Sequence, residues 1–209
     1  MGSLARFNLA GLAQVHGLSH FVETGTAQGD SLALACQVKA FKQLHSIEIM
    51  PELVKAAQAR FASDPRVQVW EGDSVTCLAM VLRELPPEPA LFWLDAHFPG
   101  AHTAEQTVAA YELEKDIKRR LPLADEIALI RQAREGIRDV LLIDDARIYQ
   151  PGPYSGGDLP PDWPPLKCIQ RDGIGFIRAA FGKTHGVVVD FSDQGYVMVV
   201  PRAEMKKAA

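Results

Sequence analysis

The stretch His20-Phe21-Val22-Glu23-Thr24-Gly25-Thr26-Ala27-Gln28-Gly29-Asp30-Ser31 decides how the chain is read. A short strand, His20 to Glu23, runs into a glycine-containing turn. The turn leads into a helix predicted from Asp30 to about Lys39. A strand that enters a helix in this way is the opening unit of an open parallel sheet. Gly25 and Gly29 allow a tight turn and close approach of a ligand to the backbone. The spacing, Glu-x-Gly-x-x-x-Gly, departs from the Gly-x-Gly-x-x-Gly of dinucleotide sites. A pyrophosphate at a helix start favours positive surroundings, whereas Glu23 and Asp30 flank this turn. A carboxylate there suits a ligand with an ammonium or sulfonium group and no phosphate.

Working outward, the alternation of strand and helix continues. The N-terminal segment, residues 1–18, reads as a helix over 5–18, with Leu9, Leu12 and Val15 near one face. Leu44 to Ile49 is a second strand. Pro51 suits the first turn of a helix carrying Leu53, Ala56, Ala57 and Phe61. Val67 to Trp70 alternates as a third strand, and a helix over 74–85 stops before Pro86-Pro87. Ala90 to Leu94 is a continuous apolar run, as expected for a strand buried on both faces. A helical region over 104–135, broken at Pro122, leads to a fifth strand, Val140 to Ile143. Residues 150–165 hold six prolines and three glycines and predict an irregular flap over a site. After a helix over 172–182, Gly186 to Phe191 and Tyr196 to Val200 flank a Ser-Asp-Gln-Gly turn and must pair antiparallel. The expectation is an α/β chain, 1–209 forming one doubly wound domain. Its sheet is mostly parallel with a C-terminal antiparallel hairpin, and loops 97–107 and 150–165 border the active site.

Composition narrows the function. At 209 residues, 47% hydrophobic and 23% charged, the chain has ordinary globular values. No apolar run approaches the ~18 residues of a membrane span. A net charge of −4 argues against a dedicated nucleic-acid binder. Cys36, Cys77 and Cys168 are odd in number and far apart, which fits neither a disulfide framework nor a zinc knuckle. The start, Met1-Gly2-Ser3-Leu4-Ala5-Arg6, lacks signal-peptide character. The expected location is cytoplasmic.

In an open parallel sheet, ligands bind outside the carboxyl ends of the strands. Here every parallel strand delivers an acid to that edge. These are Glu23 after the first strand, Glu48 after the second and Asp73 after the third. Asp95, with His97 beyond it, follows the fourth, and Asp144-Asp145 the fifth. Glu48 stands 23 residues after Gly25, well placed to accept ribose hydroxyls. Asp73 is placed for an adenine amine, and is also a helix N-cap before Ser74.

With these residues in order, the chain resembles class I S-adenosylmethionine-dependent methyltransferases over almost its whole length. The resemblance rests on Glu23-Thr24-Gly25-Thr26-Ala27-Gln28-Gly29, on Glu48, on Gly72-Asp73 and on the terminal hairpin. It implies a seven-stranded sheet in the order 3-2-1-4-5-7-6. It also implies an S-adenosylmethionine site formed by Glu23, Thr24, Gly25, Thr26, Gly29, Asp30, Ser31, Glu48, Asp73, Ser74 and Asp95. A narrower likeness is to metal-dependent O-methyltransferases of the catechol and macrocin types. It implies a Mg²⁺ site at Asp95, Asp144 and Asp145, with Asp95, His97 and Asp144 as the catalytic set. Catechol-type enzymes carry a Lys three residues after the first Asp. Phe98 stands there here, and His97 is the substitute base.

Rival readings are an NAD-dependent oxidoreductase, which needs a better phosphate turn, and a non-catalytic adenosine-binding protein on the same fold. Leu94-Asp95-Ala96-His97 is unlike the Pro-Pro motif of amino-methylating DNA enzymes. Arg147 is expected to pair with Asp145, and Trp93 to be core. Lys115, Lys118, Arg119 and Arg120 read as a solvated helix face. His102 is a second candidate base, and Trp163 a candidate wall of the acceptor pocket. Sugar, polyketide, catechol-like and peptide hydroxyls all remain open as acceptor, and the 104–135 region leaves a homodimer open.

Overall fold

The computed structural model describes residues 3–97, 120–157, 159 and 173–203. Seven strands form one sheet: β1 His20–Thr24, β2 Gln43–Glu48, β3 Val67–Glu71, β4 Ala90–Leu94, β5 Val140–Ile143, β6 His185–Asp190 and β7 Tyr196–Pro201. Their order is β3-β2-β1-β4-β5-β7-β6, as the resemblance implied. The first five strands pair parallel. β7 inserts antiparallel between β5 and β6.

The helices described are α1 Leu9–His16, α2 Asp30–Cys36, α3 Pro51–Phe61, α4 Ser74–Glu84, α5 Leu123–Ala133 and α6 Gly175–Phe181. The helix expected over 5–18 is two pieces, a 3₁₀ turn at Leu4–Arg6 and then α1. Asn8 separates them. Its side chain accepts from the Gly11 amide at 2.9 Å and starts a new helix, as an N-cap does. Pro122 is the N-cap residue of α5, so the expected break falls where the described helix begins. Residues 98–119 and most of 158–172 lie outside the described residues. With them lie nearly all of the expected loop 97–107, most of the second half of the expected loop 150–165, and His102, Lys115, Lys118, Arg119, Trp163 and Cys168.

Alternation along the central strands feeds two cores. Val22, Phe92, Leu94, Leu141 and Ile143 face one side, under α4, α5 and α6. Phe21, Leu91, Trp93, Val140 and Leu142 face the other, under α1 and α2. Trp93 is 1% exposed, a core residue as expected. Both faces are covered, so β1, β4 and β5 are buried at every position. That explains their continuous apolar runs. With both faces covered, the edge where the parallel strands end is where open sheets of this kind bind ligands. Among the described residues, no helix is long and apolar enough to cross a membrane.

Candidate active site at the strand ends

The first turn is held from below. Gly25 adopts φ +86° and its amide donates to the Ile47 carbonyl at 2.9 Å. Glu23 is fully buried beneath the turn. Its two oxygens accept from the Ser31 hydroxyl at 2.5 Å and the Ser46 hydroxyl at 2.6 Å. Ser46 also shares a short hydrogen bond with Thr26. Glu23 therefore braces the turn from within. Asp30 is turned to solvent and pairs with Arg60 at 3.0 Å, away from the cleft.

Burial pushes the Glu23 carboxyl up to about 7, and the two serine hydroxyls offset only part of that. The fold thus favours its neutral form. The associated stability is complete below the ordinary carboxylate value of 4.5 and is lost as pH rises through about 7. Glu23→Gln should cancel this dependence. The stability difference between variant and wild type should shift in the variant's favour by at most ~3 kcal/mol between pH 4.5 and 8. Urea unfolding of both proteins at several pH values checks it. Parallel profiles would contradict it.

Glu48 closes the turn from the β2 side. Its Oε2 accepts the Ala27 amide at 2.8 Å and its Oε1 the Met50 amide at 2.9 Å. Ala27 stands at φ +47°, unusual for a residue with a side chain. Asp73 is the N-cap of α4, accepting from the Thr76 amide at 3.0 Å. Its expected capping role is therefore present. Asp73→Ala should cost ~1 kcal/mol of unfolding stability in a urea titration, and Asp73→Asn only a fraction of that.

Beyond β4 and β5 the acids crowd. His97 Nδ1 lies 3.5 Å from Asp95 Oδ1, and His97 Nε2 lies 3.2 Å from Asp145 Oδ2. Arg147 Nε donates to Asp145 Oδ1 at 2.9 Å, the pairing expected from the sequence. Asp145, in left-handed backbone at φ +51°, turns away from Asp144 toward these two partners. Among the described residues, the grouping that could hold a cation is Asp95, His97 and Asp144, each presenting one ligand atom within 4.8 Å of the others. Of the expected metal set, Asp95, Asp144 and Asp145, the first two are brought together, with His97 beside them.

Electrostatics follow from the crowding. Burial and the neighbouring Asp144 charge push Asp95 up. Burial also raises Asp144. Burial alone would lower His97, but its bond to Asp145 and the surrounding carboxylates raise it to about 9. Burial acts to raise Asp145, and His97 and Arg147 together hold it below the usual range. A His97 that carries its proton is not a ready base by itself. A divalent cation would take the place of protons held in such a cluster. Asp144 Oδ1 is buried and has no hydrogen-bond partner. One imidazole with two carboxylates suits Mn²⁺-class ions better than Mg²⁺, which prefers oxygen donors.

Sequence reasoning missed two members of this neighbourhood. Glu126 of α5 is 1% exposed and Tyr149 is 4% exposed. Both line, with His97, Asp144, Leu94 and Ile143, a small cavity of about 10 Å³. Burial raises Glu126 to about 7, partly offset by the nearby Ser74 and Thr24 hydroxyls. Thr24 Oγ1 lies near the carboxyl but out of hydrogen-bonding geometry.

No protein-family model matches the chain, and no curated protein does. Its fold has solved counterparts. A methyltransferase from Podospora anserina with S-adenosylhomocysteine bound superposes with a TM-score of 0.62 at 16% identity, over 97% of this chain and 80% of that one. The O-methyltransferase of tomaymycin synthesis from Streptomyces achromogenes, in complex with S-adenosylmethionine, gives 0.60 at 14% identity, over 97% and 82%. An O-methyltransferase from Bacillus cereus with S-adenosylhomocysteine gives 0.54 at 16% identity, over 97% and 83%. The chain has the class I methyltransferase fold.

Proposed function

We propose that this chain transfers a methyl group from S-adenosylmethionine to a small-molecule hydroxyl. The observation that carries the reading is the juxtaposition on one sheet edge of two half-sites. One is the Gly25 turn closed by Glu48, with Asp73 beside it. The other is the Asp95–His97–Asp144 cluster. The first has the parts for a nucleoside: a carboxylate for ribose hydroxyls, an acid near the adenine position and a close backbone turn. The second has the parts for an acceptor oxygen and its proton.

In that reaction the acceptor oxygen attacks the methyl carbon in line. The carbon–sulfur bond breaks with its electron pair going to sulfur, and the sulfonium becomes a neutral thioether. The acceptor proton passes to a carboxylate oxygen of the Asp95–His97–Asp144 cluster. The same three residues would hold a divalent cation, whose chemistry would be to lower the pKa of the acceptor hydroxyl so that its proton can leave to water instead. Thr24, at the junction of β1 and β4, lies between the two half-sites. The protein's contribution is approach geometry and a dry environment.

Calorimetric titration with S-adenosylhomocysteine, with divalent metal and again with EDTA, tests the reading. Micromolar binding is expected. Absence of binding under every condition would overturn it.

A further inference from the structure

The core-facing stripe of α5 carries Leu123, Glu126, Ile127 and Ile130. Three of these four helically spaced positions are apolar, and the fourth is a carboxylic acid. A Leu at 126 would continue the stripe, whereas a buried carboxyl is costly unless all its atoms are partnered. The reason for an acid there lies in what it faces. Glu126 Oε1, Asp144 Oδ1 and Tyr149 Oη are all buried without hydrogen-bond partners, and all three residues wall the same cavity of about 10 Å³. That is about the smallest volume that holds one water, which needs two to four polar partners.

We propose that Glu126 is a positioning residue for the cation half of the site: with Tyr149 it holds one water in this chamber, and through that water fixes the Asp144 carboxylate. This rests on the cation reading given above. The hydrogen bonds balance. The water donates to Glu126 Oε1 and to Asp144 Oδ1, and accepts from the Tyr149 hydroxyl, so each of the three orphaned atoms gains a partner. Asp144 then keeps its other oxygen for the side shared with Asp95. Partners of this outer kind orient metal ligands, and removing one typically costs ten- to a hundredfold in metal affinity.

The test is calorimetric titration of the full chain with Mn²⁺, beside S-adenosylhomocysteine binding and thermal unfolding. The proteins are wild type, Glu126→Leu and Tyr149→Phe. Mn²⁺ affinity is expected to fall ~10–100-fold in Glu126→Leu and several-fold in Tyr149→Phe. Nucleoside affinity should change less than about threefold in both. Glu126→Leu should melt close to wild type, since replacing a buried acid that has one oxygen unpartnered by an apolar side chain of similar volume is often neutral. Loss of metal binding in a protein that is as stable and still binds the nucleoside is not what a merely structural role gives. Mn²⁺ binding unchanged in both variants, or nucleoside and metal affinity falling together, would overturn the proposal. Wild type that binds the nucleoside but no Mn²⁺ overturns the cation reading instead, and this inference with it. Should Glu126→Leu not fold, Tyr149→Phe decides alone.

Discussion

Glu48→Ala should abolish measurable binding of S-adenosylhomocysteine. Two losses add. Glu48 has about four lone-pair positions, of which the Ala27 and Met50 amides take two. The others are left for the ribose hydroxyls of the proposed cofactor. Hydrogen bonds to a charged group contribute ~1.5–3 kcal/mol each, so losing the ribose contacts alone weakens binding ~100-fold or more. The second loss is conformational. Ala27 is held at φ +47°, a conformation costing about 1–2 kcal/mol for a residue with a Cβ. With its anchoring carboxylate gone, Ala27 loses the bond that offsets this cost, and the tip of the turn relaxes while the Gly25 and Thr26 amides stay on Ile47. Glu48→Gln keeps an acceptor and should lose ~10-fold, consistent with the weaker neutral bond. Calorimetry on the three proteins separates these cases. Binding by Glu48→Ala within threefold of wild type would remove Glu48 from the cofactor site.

The fold was legible because its strands are short apolar runs with sharp ends. Ala90–Leu94 and Val140–Ile143 begin and end where the sequence places them. The strand-end acids follow from that, since a parallel sheet brings all its carboxyl ends to one edge. What those acids do once there depends on directions that a linear reading does not give. Asp144 and Asp145 look equivalent as neighbours, yet the left-handed backbone of Asp145 sends it to Arg147 and His97. Glu23 looks like a ligand contact, yet it lies at 0% exposure with serines on both oxygens. Glu126 was passed over because the 104–135 region was read as helix without a register. An acid within a Leu-x-x-x-Ile-x-x-Ile stripe was the available signal. The boundary at Asn8 was likewise visible as a cap residue before Leu9-Ala10-Gly11.

Gly25→Ala should be far more damaging than the same change at two other positive-φ glycines, Gly17 and Gly29, which calibrate the claim. Gly17, which ends α1 at φ +64°, has nothing within 4 Å of an added Cβ. Gly17→Ala therefore reports the backbone cost alone, ~1 kcal/mol. Gly29, at φ +79°, adds a contact of 2.9 Å, but with the ring edge of Phe61, a side chain that can move. Gly29→Ala should cost ~2 kcal/mol. Gly25, at φ +86°, would put its Cβ 2.7 Å from the Asp95 carbonyl oxygen, 3.0 Å from its carbon and 3.2 Å from Ala96 Cα. All three are backbone atoms of the chain leaving β4, and no rotamer change relieves them. The strain must be taken by spreading the ends of β1 and β4, which are tied by the Asp95 amide donating to the Thr24 carbonyl at 3.0 Å. The expected cost is ~3–5 kcal/mol, a large share of the 5–15 kcal/mol of a typical domain. The same spreading separates the nucleoside half-site from the acidic cluster. Gly25→Ala should therefore lose S-adenosylhomocysteine binding even where it remains folded, whereas Gly17→Ala should keep it fully. Urea unfolding gives the order Gly25, Gly29, Gly17. Equal costs at all three positions would mean that the close approach of β4 to the turn does not govern the site.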